Sequence, residues 1–211
     1  MTRIGAATRN KHKIEEINAI TREFGMDIVS RDDAGVPKIE IEEDGKTFEE
    51  NSYKKAYEIM KLCGEITIAD DSGLVVDALE GAPGIYSARF AGFPGMWPDD
   101  SSDAPEADTT DIDNNTKLLK LMEGVPFEKR TARFVSVITM VYPDGQVLTA
   151  RGTVEGHLAD EPSGDGGFGY DPLFIPLGYE ETMATLGDDL KNSISHRANA
   201  LKELRRQLME R

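Results

Sequence analysis

Segments with helical periodicity alternate along this chain with short apolar segments, and this order constrains the fold more than any other feature. Residues 3–7 predict a short buried strand, and the segment MDIVS predicts a second one. Between them, apolar residues recur at helical spacing until a glycine ends the pattern: Ile14, Ile17, Ile20, Phe24 and Gly25. The chain therefore opens as strand, polar turn, helix and strand, which is typical of an α/β fold.

The middle of the chain continues this alternation. Thr47 and Glu50 fit the capping-box pattern and predict the start of an amphipathic helix that Gly64 ends. The segments EITIAD and GLVVDAL predict two strands, one on each side of the adjacent residues Asp70 and Asp71. The segment IDNNTKLLKLMEG then predicts a further helix.

The last part of the chain predicts a hairpin and a closing helix. The segment TARFVSVITMVYPDGQVLTARGTVEG contains two strand patterns around a Pro-Asp-Gly turn, as in a β-hairpin. Ser195 is expected to cap the final helix at its amino terminus. The apolar face of that helix is formed by four residues: Ala198, Leu201, Leu204 and Leu208.

Composition and charge limit the classes of protein that the chain can belong to. Its 211 residues are 39% hydrophobic and 30% charged, which is typical of a globular protein with a real core. No repeat or linker divides the chain, so we predict one α/β domain over residues 1–211, with an exposed acidic loop at 92–110. The formal net charge of −15 argues against non-specific nucleic-acid binding, which relies on a cationic surface.

Cysteine usage and the first residues bear on the compartment. Cys63 is the single cysteine, which excludes an intramolecular disulfide and a cysteine-based zinc cluster and favours a reducing compartment. The start of the chain lacks the apolar core of a signal peptide, and no stretch approaches the ~18 apolar residues of a membrane span. A cytoplasmic protein without a membrane partner is therefore expected.

Two adjacent carboxylates, Asp70 and Asp71, follow an apolar run and precede a Ser-Gly pair. An aspartate at the end of a strand is held rigidly, so it is able to fix a metal ion or orient a water molecule. Mg²⁺ prefers such hard oxygen ligands, and the small Ser72 and Gly73 let a ligand approach. We favour a functional role for this pair, whereas most upstream glutamates are expected to lie in a solvated acidic loop.

The polar segment TRNKHK, residues 8–13, lies between the first predicted strand and helix. Free backbone N–H groups and the helix dipole favour anions at such a position. The hydroxyl of Thr8, the amide of Asn10 and the ammonium of Lys13 suit phosphate oxygens. On local sequence alone a capped surface helix with solvated lysines is more common, and the glycines of a Walker A loop are missing.

Two later segments carry further candidate ligand contacts. In GDGGFGYDPLF, glycines around Phe168 and Tyr170 allow close backbone approach, and Asp171 offers an acceptor, which suits a nucleobase. The alternative is a tight turn whose aromatic rings fill the core. In KNSISHR, His196 and Arg197 begin the last helix, where cations are unfavourable for the helix dipole. That position indicates an anionic or carbonyl-bearing ligand, although a solvated helix start is more common.

Taken together, these segments resemble the inosine triphosphate pyrophosphatase family of non-canonical purine nucleoside triphosphatases. The matching pieces span from residue 8 to about residue 201, in the family's order: TRNKHK, FEENSYKKA, ADDSGLVVDALEGAPGIYSARFAG, GGFGYDPLF and SISHRANAL. The resemblance implies Mg²⁺-dependent hydrolysis of ITP, dITP or XTP to the monophosphate and pyrophosphate. It also implies a long twisted mixed β-sheet flanked by helices, with two lobes around a central substrate cleft, usually in a homodimer.

The resemblance also implies roles for individual positions. Asp71 would bind the metal together with Glu42 and accept the proton of the attacking water, with Asp70 and Lys13 in support; Glu43 is the alternative metal carboxylate. The triphosphate would be held by Thr8, Arg9, Asn10, Lys11, His12 and Lys13, with Lys55 as a further cation. The substrate, including its base, would be contacted by Ser72, Phe168, Gly169, Tyr170, Asp171, Lys191, His196 and Arg197.

Two departures and two alternatives accompany this resemblance. Arg9 replaces the small residue common after the first threonine, and the acidic loop after Phe90 is longer than in compact members. One alternative function is a pyrophosphatase for other modified nucleotides, and another is a nucleotide-binding regulator without turnover. The presence of Asp70, Asp71 and Lys13 argues against the regulator, because a binder needs no general base. The sequence leaves the substrate preference, the number of metal ions and the dimer interface open.

Overall fold

The computed structural model describes residues 2–8, 11–37, 39–96 and 109–210, with the backbone only at 11, 12, 16, 19, 20 and 23. In the described residues the strands are β1 (Thr2–Ala6), β2 (Met26–Ser30), β3 (Thr67–Val76), β4 (Thr131–Val141), β5 (Val147–Leu158) and β6 (Phe174–Pro176). The helices are α1 (Lys11–Thr21), α2 (Phe48–Cys63), α3 (Asp111–Leu121), α4 (Asp188–Ile194) and α5 (His196–Met209). Short 3-10 helices occupy Arg22–Phe24, Asp77–Leu79, Gly84–Gly92 and Phe127–Lys129.

The strands form one mixed sheet in the order β2-β1-β3-β4-β5-β6. Strand β1 runs parallel to β2 and to β3, whereas β5 and β6 are antiparallel. The predicted hairpin is present between β4 and β5, where the amide of Gly145 donates to the carbonyl of Tyr142 at 3.0 Å. The predicted α/β class with a mixed sheet and flanking helices is therefore confirmed.

The chain divides into two compact units. The first unit comprises residues 1–71, 136–153 and 195–211, and its core contains Ile4, Ile17, Ile68, Ile138 and Leu201. The second unit comprises residues 72–135 and 154–194, and its core contains Leu74, Phe90, Leu118, Phe134 and Phe174. Each unit thus buries an apolar cluster of its own. The arrangement of two lobes around a cleft stays a prediction.

The helix caps follow the local sequence closely. Thr47 Oγ1 accepts from the amide of Glu50 at 3.1 Å, and Ser195 Oγ accepts from the amide of Ala198 at 3.1 Å. The carboxylate of Glu50 accepts from the amide of Lys46 at 2.6 Å, so it closes the turn before α2 instead of completing a capping box. Helix α2 ends at Gly64, which takes the left-handed conformation with φ 68°. Both predicted helix starts are confirmed.

The Asp pair does not separate two strands, and that prediction is wrong. Strand β3 runs without a break from Thr67 to Val76 and includes Asp70 and Asp71. Successive side chains of a strand leave it on opposite faces. The two carboxylates therefore occupy different environments.

The predicted acidic loop at 92–110 falls mainly on residues 97–108, which lie outside the described residues. Its described end is tied to the second unit, because Thr109 Oγ1 donates to the carbonyl of Ala88 at 3.2 Å. Among the described residues, no helix is both long enough and apolar enough to cross a membrane.

Gly152 of β5 provides a test of the packing in the first unit. A methyl group there would overlap backbone atoms of α5 at His196 and Ala200. Backbone atoms of a helix cannot move aside as the end of a flexible side chain can. We expect Gly152→Ala to lower the free energy of unfolding by about 1–3 kcal/mol, as measured by urea denaturation. The control is Gly187→Ala, because a Cβ at Gly187 meets no described atom within 4 Å. Equal stability of the two variants would contradict this packing.

Candidate active site

Asp70 lies at the centre of a buried ionic cluster in the first unit. Its Oδ2 is 2.7 Å from Lys13 Nζ and 3.2 Å from Arg197 Nη2. Its Oδ1 accepts from Ser136 Oγ at 2.5 Å. These partners come from α1, α5 and β4, so the carboxylate on β3 connects four elements of the fold.

The charges around Asp70 determine its ionisation. Burial alone would raise the pKa of Asp70, but Arg197, Lys13 and the Ser136 hydroxyl outweigh that effect and hold it well below its usual range. The carboxylate is therefore ionised at neutral pH, and both of its oxygens have partners. Such a group is suited to orienting its neighbours and poorly suited to accepting a proton.

Asp71 has a different environment. Its Oδ1 accepts from Lys55 Nζ at 2.6 Å, and the same ammonium lies 3.3 Å from Glu43 Oε2. Its Oδ2 is buried and has no hydrogen-bond partner among the described residues. A buried acceptor without a partner is costly, so this oxygen is the atom of the site best placed to take up a proton or a cation.

Burial raises the pKa of Asp71 to about 6; the Lys55 ammonium opposes that shift, and the Glu43 charge adds to it. Burial lowers the pKa of Lys55, but the charges of Asp71 and Glu43 outweigh it and raise that pKa overall. Lys55 therefore stays cationic between two carboxylates. A carboxylate with a pKa near neutrality meets the requirement for a general base.

The acidic segment before α2 brings Glu43 to this cluster, while Glu42 lies exposed. Asn51, a fully buried residue of α2, accepts from the amide of Gly45 at 2.8 Å and so ties the segment to the helix. Lys54 adds an ion pair with Asp44 at 2.6 Å. The structure thus favours Glu43 as the second carboxylate beside Asp71, and the assignment of Glu42 stays a prediction.

The donor set can be tested for a metal ion. No group of three or more His, Cys, Asp or Glu side chains that could hold a metal occurs in the part of the chain that the structure describes. Mg²⁺ is commonly bound by one or two carboxylates together with substrate phosphates and water. Asp71 with its unpaired buried Oδ2, and Glu43 next to it, fit that pattern.

The predicted phosphate segment is described only in part. Thr8 lies half-buried after β1, and Lys13 in the first turns of α1 pairs with Asp70. Arg9, Asn10 and the side chains of Lys11 and His12 lie outside the described residues. Their proposed contacts with phosphate stay predictions.

A second group of predicted residues meets within the second unit. Lys191 Nζ is 2.8 Å from Asp171 Oδ2 and 4.8 Å from the centroid of the Phe168 ring. Asp171 Oδ2 also accepts from the amide of Phe168 at 3.0 Å. Tyr170 is buried and donates to the carbonyl of Ser87 at 2.8 Å. The structure therefore brings Phe168, Asp171 and Lys191 together, with Phe168 half-buried.

The remaining predicted residues belong to α5 and β3. His196 and Arg197 are buried at the start of α5, and Arg197 pairs with Asp70. Ser72 follows Asp71 in β3 and is half-buried. For Arg197 the structure indicates a supporting role beside Asp70, and contact with the base stays a prediction.

Two residues that support the site were not predicted from the sequence. Ser136 and Asn51 make their contacts through the tertiary structure, and neither follows a local pattern that marks it. Asn51 does lie within the matched segment FEENSYKKA, and this was the one available signal.

The ionic cluster predicts a large effect for Asp70→Asn. The substitution leaves Lys13 and Arg197 without their buried counter-charge, so the free energy of unfolding at pH 7 should fall by about 3–5 kcal/mol. Because the folded pKa is depressed, the stabilisation is present above the unfolded pKa of about 3.9 and is lost as pH falls through the folded value.

Urea denaturation of the wild type and Asp70→Asn at pH 7 and pH 3 checks this expectation. The difference between them should shrink at the lower pH. Asp44→Asn is the control, because its ion pair with Lys54 lies at the surface. A difference at pH 7 no larger than that of the control would show that the cluster does not stabilise the fold.

Comparison with known proteins identifies the family. The model of the Ham1 family matches residues 4–207. A dITP/XTP pyrophosphatase from Desulforamulus reducens is 48% identical over 198 residues, covering 93% of this chain and 90% of that protein. A solved structure of the Staphylococcus aureus Ham1 protein has a TM-score of 0.81 and 37% identity over 99% of both chains. A HAM1 protein from Coxiella burnetii has a TM-score of 0.83 and 35% identity over 100% of both.

These matches agree in chain length and in fold. They confirm the resemblance that the sequence motifs indicated, and they extend it to regions between the motifs. The chain belongs to the Ham1 family.

Proposed function

We propose that this chain is a nucleoside triphosphate pyrophosphatase that converts dITP, ITP and XTP to the monophosphate and pyrophosphate. The observation that carries the proposal is Asp71, a buried carboxylate with a pKa of about 6, one oxygen held by Lys55 and the other unpaired among the described residues. The names of the curated relatives, dITP/XTP pyrophosphatases, support the substrate class. The homodimer that the resemblance implies stays a prediction.

Asp71 is the proposed general base. Lys55 fixes Oδ1, so the carboxylate is oriented and Oδ2 is the atom that accepts the proton of the attacking water. The water oxygen bonds to phosphorus as the α,β-phosphoanhydride bond breaks. The pyrophosphate leaves with the electron pair of that bond, and its charge is stabilised by the cations of the segment 8–13 and by Lys55.

Asp71 and Glu43 would hold Mg²⁺. When bound, the ion would neutralise negative charge on the phosphates. We prefer Glu43 to Glu42 because the Glu43 carboxylate contacts the same ammonium as Asp71. Asp70 acts indirectly, since it fixes Lys13 in place through a 2.7 Å ion pair.

The base is proposed to bind next to the half-buried Phe168 of the second unit, beside Lys191. An aromatic face stacks on any purine, so selectivity requires polar groups. Hydrogen-bond donors of the protein that point at the 6-keto oxygen would pair with hypoxanthine or xanthine. With adenine bound, the same donors would face its 6-amino group, itself a donor, and would stay unpaired.

The activity itself gives the first test. Incubation with ITP, XTP and dATP in the presence of Mg²⁺ should release pyrophosphate mainly from ITP and XTP, because only these two carry the 6-keto oxygen. Asp71→Asn should lower kcat by about 10²–10⁴-fold, because the general base is lost. Asp27→Asn is the matched control and should retain wild-type activity, because Asp27 is an exposed residue of β2 outside the site. No pyrophosphate from any substrate would favour a nucleotide-binding regulator, and full activity of Asp71→Asn would exclude Asp71 as the base.

Adjacent glutamates give a test of the metal carboxylate. We expect Glu43→Gln to raise the Mg²⁺ concentration for half-maximal activity by about tenfold, since a charged ligand becomes neutral. Glu42→Gln, one residue away and exposed, should leave that concentration unchanged. The reverse pattern in a Mg²⁺ titration of both variants would assign the metal to Glu42.

A further inference from the structure

Both peptide groups of Gly169 are held by side chains of α3. The amide of Gly169 donates to Asp111 Oδ2 at 2.6 Å, and its carbonyl accepts from Asn115 Nδ2 at 2.9 Å. Residues four apart lie on the same face of a helix, so one face of α3 supplies both contacts. We call Asp111 and Asn115 the Gly169 clamp.

The clamp acts on the turn that carries Phe168. Gly167 and Gly169 both have positive φ, 75° and 63°, on either side of this ring. A methyl group at Gly167 would overlap Asp171 Oδ2, the oxygen that also accepts from the amide of Phe168. Asp171 therefore holds the turn from within, and the clamp holds it from α3.

Asn115 is an unusual residue for a purely structural contact. It is buried, 8% exposed, and its Oδ1 has no hydrogen-bond partner among the described residues. An apolar side chain would avoid the cost of that unpaired oxygen. The observed hydrogen bond of this side-chain amide is the one that Nδ2 donates to the carbonyl of Gly169.

The packing of α3 itself depends on other residues. Asn114 accepts from the amide of Ala91 at 2.8 Å, and Lys117 Nζ lies within 2.7 Å of the carbonyls of Phe90 and Phe93. Thr110 and Asp113 form the capping box. Asp111 and Asn115 are thus available for the Gly169 turn, while other side chains connect α3 to the segment 84–95.

We propose that Asp111 and Asn115 are positioning residues that set the selectivity of the base pocket by fixing the Gly169 turn and, through it, the ring of Phe168 and the Asp171–Lys191 pair beside that ring. The inference rests on the proposed function, because it takes Phe168 as the surface on which the purine stacks. The clamp belongs to the second unit, whereas Asp71 and Lys55 belong to the first. Its loss should therefore weaken recognition of the base and leave the chemical step intact.

Three variants test the clamp in steady-state assays with ITP and ATP. Asn115→Asp replaces the donor by an acceptor that repels the Gly169 carbonyl, and Asp111→Ala removes the other contact. Each should raise KM for ITP about tenfold, the effect of one lost hydrogen bond of ordinary strength, with little change in kcat. Asp111→Asn retains an acceptor oxygen for the Gly169 amide and should restore KM to near the wild-type value.

The ratio of kcat/KM for ITP to that for ATP separates positioning from general damage. We expect this ratio to fall in Asn115→Asp and Asp111→Ala, because ITP is proposed to use both the Phe168 ring and the donor beside it, Lys191, whereas ATP with its 6-amino group uses the ring alone. Asp113→Asn is the control, since it weakens the cap of the same helix without touching Gly169. An equal fall in Asp113→Asn, or a fall in kcat with KM unchanged, would overturn the proposal. Thermal unfolding of each variant identifies any that does not fold.

The assay of the wild-type protein distinguishes a failure of the proposed function from a failure of the clamp proposal. If the wild type releases no pyrophosphate from ITP, the proposed function fails, and the kinetic ratio has no meaning. The clamp is then tested by binding of IMP to wild type and Asn115→Asp, where an equal Kd would overturn it. If the wild type is active and selective but Asn115→Asp and Asp111→Ala match it, the function stands and the clamp is wrong.

Discussion

The buried carboxylate of Asp70 is the interaction on which the first unit depends. It joins α1, β4 and α5 to β3 through Lys13, Ser136 and Arg197. The attraction within a buried ion pair offsets the cost of desolvating its charges only when the geometry is good and the remaining lone pairs are hydrogen-bonded. Asp70 meets that condition with three partners, and it thereby fixes the position of β3 and of the lysine at the start of α1.

The two adjacent aspartates differ because of strand geometry. One residue along β3 places Asp71 on the other face, beside Lys55 and Glu43, where one oxygen finds no partner among the described residues. The same residue type thus has a pKa well below its usual range at Asp70 and of about 6 at Asp71. The environment assigns a supporting role to the first and a reactive role to the second.

Features that depend on neighbouring residues were predictable. The caps at Thr47 and Ser195 and the turn around Gly145 follow from side-chain chemistry within four residues, and all three are present. The continuity of β3 was not predictable, because two groups that stabilise Asp70, the Ser136 hydroxyl and the Arg197 guanidinium, lie 66 and 127 residues away. Two adjacent acids locally favour the end of a strand, because nothing within the segment offsets the cost of burying their charges.

The sequence by itself determined the kinds of elements, their order and the family, because periodicity, capping and long motifs are carried by residues close together in the chain. Only the tertiary structure decided that Glu43 lies at Lys55 while Glu42 is exposed, since neighbours in an irregular segment have no fixed direction. It also decided the ionisation of Asp71. Desolvation and Coulomb energies depend on distances between residues that are far apart in sequence.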